Sequence, residues 1–294
     1  MNHCSAILLA AGKSQRLGFD KILTPLCGQP VLIYSLQSLL NSPLIHEVII
    51  VTRQDIIPAI ESLVAGQKPV KNVRVIQGGA ERQDSVYLGL KSVAANSTHI
   101  LIHDAARPLL SLSMIEKSLI ACEKTGAAVV ARRATDTLKK VSATDEIEAT
   151  LDRSTIWLVE TPQVFHKKII TESYERVITK KAFVTDDAST VELAGGTVFV
   201  VESDTLNLKI TRTMDWEILE LWLKKEGVLL IREDIHHLSN ELSPLIGYLP
   251  LLEKYGGHDE KFLNYLARCI DSARGVQTAL HALQTKTRNL FANN

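Results

Sequence analysis

The chain has 294 residues, 46% of them apolar and only 5% aromatic, and its 33 basic residues balance 33 acidic ones. That length buries a sizeable core and reads as one large domain with a smaller one, while the charge balance removes any global field favouring nucleic acid or an anionic membrane. Cys4, Cys27, Cys122 and Cys269 have neither CxxC spacing nor histidines at metal-ligand intervals, so unpaired thiols in a reducing cytoplasm are expected. The early apolar run "SAILLAAG" is too short to span a membrane and lacks a basic flank and cleavage site, which also points to a cytoplasmic protein.

Short apolar runs then recur in chain order as "SAILLAA", "EVIIVT", "VRVIQ", "HILIHD", "AAVVARR" and "TVFVVE", and they predict buried strands. Between them "PVLIYSLQSLLNS", "ERQDSVYLGLKSVAA" and "SMIEKSLIACEKTG" carry apolar residues at helical spacing. Alternating strands and helices predict an α/β fold, a three-layer mostly parallel sheet with right-handed crossovers. Ligands in such sheets sit beyond the carboxyl ends of the strands.

Residues 135–156, "TDTLKKVSATDEIEATLDRSTI", break this rhythm as two polar extended segments around "SATDE". They predict a protruding β-arm, a candidate for pairing with another subunit. After Gly227, Ile235, Leu238, Leu242, Leu245, Leu249 and Leu252 follow heptad spacing, and after "KYGGHDE" a second stripe runs through Phe262, Leu266, Ile270, Ala273, Val276, Leu280 and Leu283. This predicts a C-terminal helical hairpin whose first limb Pro244 and Pro250 would kink or break. One apolar stripe per helix closes no core, so the hairpin is expected to dock on the main domain or on its twin.

The polar residues cluster where strands end. "LIHDAARPLL" places His103, Asp104 and Arg107 at the carboxyl end of "HILI", where a capping Asp beside a surface Arg competes with a ligand site. The first strand runs into "AAGKSQRLGFDK", whose small residues let backbone amides approach phosphates and whose Lys13, Arg16 and Lys21 supply positive charge. The stretch matches neither GxxxxGK[ST] nor GxGxxG.

The ordered set "LAAGKSQRLG" with Lys21, "GGAERQDSVYLGL", "HDAARP", "DTLKK", "TPQVF", "TDDASTVE" and "NLKIT" closely resembles the 2-C-methyl-D-erythritol 4-phosphate cytidylyltransferase family over about residues 1–226. The resemblance implies a Rossmann-like nucleotidyltransferase fold that joins CTP to a sugar-alcohol phosphate in isoprenoid biosynthesis, a Mg²⁺ or similar divalent cation, and a homodimer formed through the arm. It implies catalytic roles for Arg16, Lys21, Asp104 and Lys209, with Asp104 also on the metal. Ala10, Ala11, Gly12, Lys13, Gly79, Ser85 and Ala105 would bind nucleotide, with Lys13 an orienting or surface group. Arg107, Thr137, Arg153, Thr161 and Thr185 would bind the polyol phosphate, Thr137 and Arg153 reaching in from the partner subunit. His103 would position the loop, while Asp136, Lys139 and Lys140 read as surface or orienting groups.

The chemistry agrees with this assignment. Two polyanions must approach for one phosphate to attack another, so cationic side chains and a metal are needed to offset the repulsion. A phosphate is already an anionic nucleophile, so no strong base and no covalent intermediate are required. The chain departs from the family in having Ser14 where a second Gly is common and Asp20 where a Pro precedes the lysine. Asp20 is expected to place a negative charge beside the triphosphate and weaken nucleotide binding. "RQDSV" and "DTLK" favour methylerythritol phosphate, with a CDP-ribitol-forming or other polyol-phosphate branch as the alternative. "HHLSNELSPLIGYLPLLE" faintly resembles a histidine-kinase dimerisation hairpin, but no ATP-binding lobe follows, so a docking or dimer-stabilising role is expected for it rather than phosphotransfer at His236 or His237. A degenerate scaffold carrying an interaction tail is the remaining alternative. The Arg16, Lys21, Asp104 and Lys209 set argues against it.

Overall fold

The seven residues Cys4–Ala10 are small or aliphatic except Ser5, and they form β1, buried along its whole length. In this computed structural model, residues 3–12, 17–203, 205–225, 240, 242 and 260–291 are described. Two short extended pieces follow, β2 (Pro25–Leu26) and β3 (Gln29–Pro30). The α/β alternation then runs α1 (Val31–Asn41), β4 (Ile45–Thr52), α2 (Ile57–Gly66), β5 (Asn72–Gln77), α3 (Arg82–Ser92), β6 (His99–Asp104), α4 (Leu112–Thr125) and β7 (Ala127–Arg133). After the arm strands β8 (Leu138–Val141) and β9 (Ile147–Leu151) come β10 (Trp157–His166), α5 (Lys167–Lys180), α6 (Asp187–Leu193) and β11 (Phe199–Glu202).

Seven strands make the main sheet, in the order β11-β7-β10-β6-β1-β4-β5. All neighbours are parallel except β10, which runs antiparallel to both β6 and β7. The residues of β1 alternate between two cores. Ala6, Leu8 and Ala10 pack with Leu32, Leu36, Ile60 and Ile115 of α1, α2 and α4. Ile7 and Leu9 pack with Val86, Leu90, Ile170, Tyr174 and Val191 of α3, α5 and α6. Burial on both faces is why the strand reads as a continuous apolar run.

One central strand is absent from the sequence expectation. β10, "WLVETPQVFH", carries Glu160 and Pro162 in its interior, and a proline lacks the N–H that a ladder needs. Pro162 falls within the register shift between Val159 and Gln163, so regular pairing with β7 lies on either side of it.

The register brings functional positions level. Leu9 pairs with Asp104 across β1 and β6, Ala10 with Thr52 across β1 and β4, and Thr52 with Gln77 across β4 and β5. The strands therefore end together along one edge. The arm is a separate antiparallel pair in which Leu138 faces Leu151 and Val141 faces Ile147.

The chain divides into two compact units, Met1–Thr24 with Gln29–Asp215, and Pro25–Gly28 with Trp216–Asn294. In the second, Glu260–Phe291 is one helix of 32 residues, with Leu266, Ile270 and Leu280 exposed and Cys269 buried. The expected first limb of the tail hairpin, with His236, His237, Pro244 and Pro250, lies outside the described residues. No described helix is long and apolar enough to cross a membrane.

Candidate active site

The site grows from the edge where β1, β4, β5 and β6 end. Gly78 donates its N–H to the Thr52 carbonyl at 2.7 Å, and a Cβ there would meet Ser85 Oγ at 2.7 Å and Ala11 Cβ at 3.1 Å. Only glycine allows this approach. Ser85, buried at the start of α3, accepts from Gly79 N at 3.1 Å and donates to Glu81 O at 3.2 Å. Ala105 is fully buried and donates its N–H to Leu9 O at 2.9 Å. Ala10, Ala11, Gly79, Ser85 and Ala105 thus form one small-residue floor, with Gly12 at its exposed rim.

Asp104 ends β6 and is the electrostatic centre. Its Oδ2 accepts from Lys209 Nζ at 2.6 Å, and its Oδ1 lies 3.4 Å from Arg82 Nε. Burial by itself would raise the carboxyl, but the charges of Arg82 and Lys209 and the Lys209 hydrogen bond hold it well below the usual carboxylate range. Asp104 is therefore an anion at any physiological pH. Lys21 reaches the same place, donating to Ile210 O at 2.8 Å, while Ile210 N donates to Ala106 O at 2.9 Å beside the β6 terminus.

Behind this centre the hydrogen bonds fix each proton. Thr161 Oγ1 accepts from Asp104 N at 3.1 Å, and because Arg107 O beside His103 Nε2 can only accept, the neutral ring has its hydrogen on Nε2 and Thr161 Oγ1 donates to Nδ1 at 3.0 Å. His103 Nε2 donates to Arg107 O at 3.1 Å. Burial pushes the His103 ring down to about 4, so it stays neutral and positions the loop.

Arg82 forks onto Asp187, Nη1 to Oδ1 at 3.0 Å and Nη2 to Oδ2 at 2.8 Å, and Asp187 accepts a third bond from Tyr174 Oη at 2.6 Å. Asp187 is fully buried. This pair ties α3 to α6 and aims Arg82 Nε at Asp104.

The profile of the family IspD, 2-C-methyl-D-erythritol 4-phosphate cytidylyltransferase, matches residues 4–225. A 2-C-methyl-D-erythritol 4-phosphate cytidylyltransferase of Dictyoglomus thermophilum is 39% identical over 231 residues, covering 78% of this chain and 97% of that protein. Another from Syntrophus aciditrophicus is 38% identical over 224 residues, covering 75% and 96%. A crystal structure of 4-diphosphocytidyl-2C-methyl-D-erythritol synthase from Anaerococcus prevotii is similar with a TM-score of 0.70 and 30% identity, covering 76% of this chain and 96% of that one. The chain belongs to this family.

Of the residues expected to make up a cytidylyltransferase site, Lys21, Asp104 and Lys209 converge, and Lys13 and Arg16 lie outside the described residues. Arg107 is partly buried, its Nη1 donating to Asn207 O at 2.6 Å and lying 4.0 Å from Glu160. Thr161 faces inward as described, and Thr185 is exposed just before the Asp186 cap of α6. Thr137 and Arg153 are exposed on the arm, where Arg153 Nη1 donates to Thr135 O at 2.6 Å.

The charge expected from Asp20 is corrected by its partner. Arg53 Nη2 lies 2.5 Å from Asp20 Oδ2, and Nη1 donates to Gly12 O at 3.0 Å. The negative charge is neutralised within the protein rather than presented to an incoming triphosphate. Sequence reasoning also missed Arg82, Asp187, Glu160 and Asn207. Arg82 and Asp187 stand inside the "GGAERQDSVYLGL" and "TDDASTVE" motifs, but their pairing spans 105 positions and leaves no local signal.

Proposed function

We infer that this chain transfers a cytidylyl group from CTP to 2-C-methyl-D-erythritol 4-phosphate, releasing pyrophosphate and giving 4-diphosphocytidyl-2-C-methyl-D-erythritol for the non-mevalonate isoprenoid pathway. The convergence of Lys21, Asp104 and Lys209 at the strand edge of a family-matched domain carries this reading. A phosphate oxygen of the substrate bonds to the α-phosphorus of CTP while the bond from that phosphorus to the bridging oxygen breaks and pyrophosphate leaves. Negative charge on the non-bridging oxygens must be met by preorganised donors. Lys209 Nζ supports this role, since it has three donors, one of them on Asp104, and its side chain is 37% exposed. Lys21 sits beside it through Ile210. The small-residue floor under Gly78 and Gly79 lets the nucleotide approach the backbone.

The Asp104 carboxylate fits a Mg²⁺ ion, which takes hard oxygen donors and commonly uses one or two carboxylates together with substrate phosphates. Both carboxylate oxygens contact cations, yet each has a second lone-pair direction. When bound, the ion neutralises triphosphate charge. Arg107 Nε, buried without a hydrogen-bond partner among the described residues, supports a further contact to the polyol phosphate.

The protein acts as a homodimer in the cytoplasm. An isolated two-stranded hairpin is marginal in water, and the arm leaves Val141, Ile147 and Leu151 exposed at 52%, 65% and 40%. Pairing with a second arm covers them and brings Thr137 and Arg153 to the partner's site. All four cysteines are free thiols, as a reducing compartment maintains.

The test of the reaction is pyrophosphate release with Mg²⁺, comparing CTP with ATP, GTP and UTP, and methylerythritol phosphate with ribitol phosphate. Release confined to CTP with methylerythritol phosphate is expected, whereas a preference for ribitol phosphate or no release from folded protein overturns the assignment. For the shared site, mixing inactive Arg153→Ala chains with inactive Lys21→Ala chains is expected to restore activity in heterodimers. Verified heterodimers that stay inactive would rule it out.

A further inference from the structure

A second cluster of coordinating groups stands at the opposite end of β6. His99 opens β6 and His166 closes β10, and the antiparallel register sets them directly opposite each other. The last turn of α4 brings Cys122 against both, anchored by Gly126, which donates to Cys122 O at 2.7 Å and accepts from His166 N at 2.8 Å. A ring nitrogen of each histidine and Cys122 Sγ all lie within 4.8 Å of one another. The neighbouring Glu123 places Oε1 at 3.0 Å from His99 Nε2 and Oε2 at 3.8 Å from His166 Nε2. Both Nε2 atoms are buried and turned toward Glu123.

His99 is held from behind through its other ring nitrogen. Thr98 Oγ1 lies 2.9 Å from His99 Nδ1 and also accepts from His3 N at 2.9 Å. Nε2 is the ring nitrogen that faces Glu123 within the cluster. A ligating histidine held through its other nitrogen is the usual arrangement at metal centres. The His99 side chain is only 5% exposed, while Glu123 and His166 are 49% and 37% exposed and open the cluster to solvent.

We propose that His99, Cys122, His166 and Glu123 bind a borderline-soft divalent cation of the Zn²⁺ class, at a site separate from the catalytic centre. Two imidazoles, a thiolate and a carboxylate form a ligand set that zinc takes tetrahedrally. Ideal Zn–N and Zn–S bonds put ligand atoms about 3.3–3.6 Å apart, so the side chains need to close by about 1 Å. Burial first, and then Glu123, pushes the Cys122 thiol up to about 12. The thiol is therefore protonated before binding, and the cation takes the thiolate as that proton leaves to solvent. Five strand residues of about 3.3 Å each set the site about 17 Å from Asp104. Its role is to clamp α4 to the β6–β10 edge. The sequence hid it because its ligands come from three elements.

The test uses the full chain with Co²⁺ as the spectroscopic probe and Zn²⁺ as competitor. One equivalent of Co²⁺ is expected to give a thiolate-to-metal charge-transfer band that Zn²⁺ abolishes, and Cys122→Ser is expected to lack the band. Losing a residue behind the ligands costs about 10–100-fold in affinity, so His166→Gln, which removes a ligand, should weaken Co²⁺ binding by at least ~100-fold. Its Mg²⁺-dependent pyrophosphate release should stay near wild type. Absence of the band in the wild type, its persistence in Cys122→Ser, or unchanged Co²⁺ affinity in folded His166→Gln would overturn the proposal. Because His166 is half-exposed, that variant remains a test even if Cys122→Ser does not fold.

Discussion

The two ends of β6 handle polar groups in opposite ways. At the carboxyl end Asp104 is ionised, compensated by Lys209 and Arg82 from distant segments. At the amino end His99 is buried with its ring pushed below its ordinary range, first by burial and then by the charge of His166. Loops leaving the carboxyl edge of a parallel sheet gather side chains from many parts of the chain, so a full charge there finds counter-charges. At the amino edge the termini of α4 and β10 pack on His99 but leave Glu123 and His166 part-exposed. There burial of His99 favours its neutral ring.

The sharpest way to break this contrast is Arg82→Ala. It removes both partners of the fork from fully buried Asp187, and stranding one half of a buried pair costs about 3–5 kcal/mol. Urea denaturation is expected to show that loss, with Arg82→Lys falling between the variant and the wild type. Lys209→Ala comes next. Loss of one preorganised donor costs about 10²–10³ in turnover, so pyrophosphate release should fall by that factor while the unfolding midpoint changes far less. Near-normal turnover would remove Lys209 from the catalytic set.

A pH series sharpens the middle of the strand. His103 is neutral in the fold, with its ring lowered from 6.5 to about 4. Between those values the unfolded chain binds a proton that the folded chain does not, so stability falls as pH drops through that window, by up to about 3 kcal/mol. Asp104 adds its own loss only below the ordinary carboxylate range, since its folded value is depressed. Urea midpoints measured from pH 7 to 4 should slope downward, and the slope should flatten in His103→Asn. The smallest effect is expected at the amino end without added metal. The Glu123 side chain is 49% exposed, and replacing an exposed ion-pair partner changes stability by no more than about 0.5 kcal/mol. Glu123→Gln losing more than that in a metal-free thermal melt would show the amino end to be as tightly coupled as the carboxyl end.

Much of the architecture was legible because burial on both faces writes strands as unbroken apolar runs. β1, β4, β6 and β7 each read this way. β10 did not, since Glu160 and Pro162 interrupt the pattern and only pairing with β6 and β7 makes it a strand. The small-residue floor was legible where glycine permits close approach, and Lys21, Asp104 and Lys209 were legible as members of motifs. Asp20 was misread for the opposite reason. Its counter-charge Arg53 stands 33 positions away, on a segment with no motif.

The sequence alone therefore determined the alternation of layers, the basic and acidic residues at strand ends, and the family to which they belong, because periodicity and short motifs are local properties. Tertiary structure alone decided that Arg82 locks onto Asp187, that His103 is neutral with its proton on Nε2, and that Cys122 meets His99 and His166. Each of these depends on which distant elements share a sheet edge. Their energies come from desolvation and charge pairing, which exist only once the chain has closed around them.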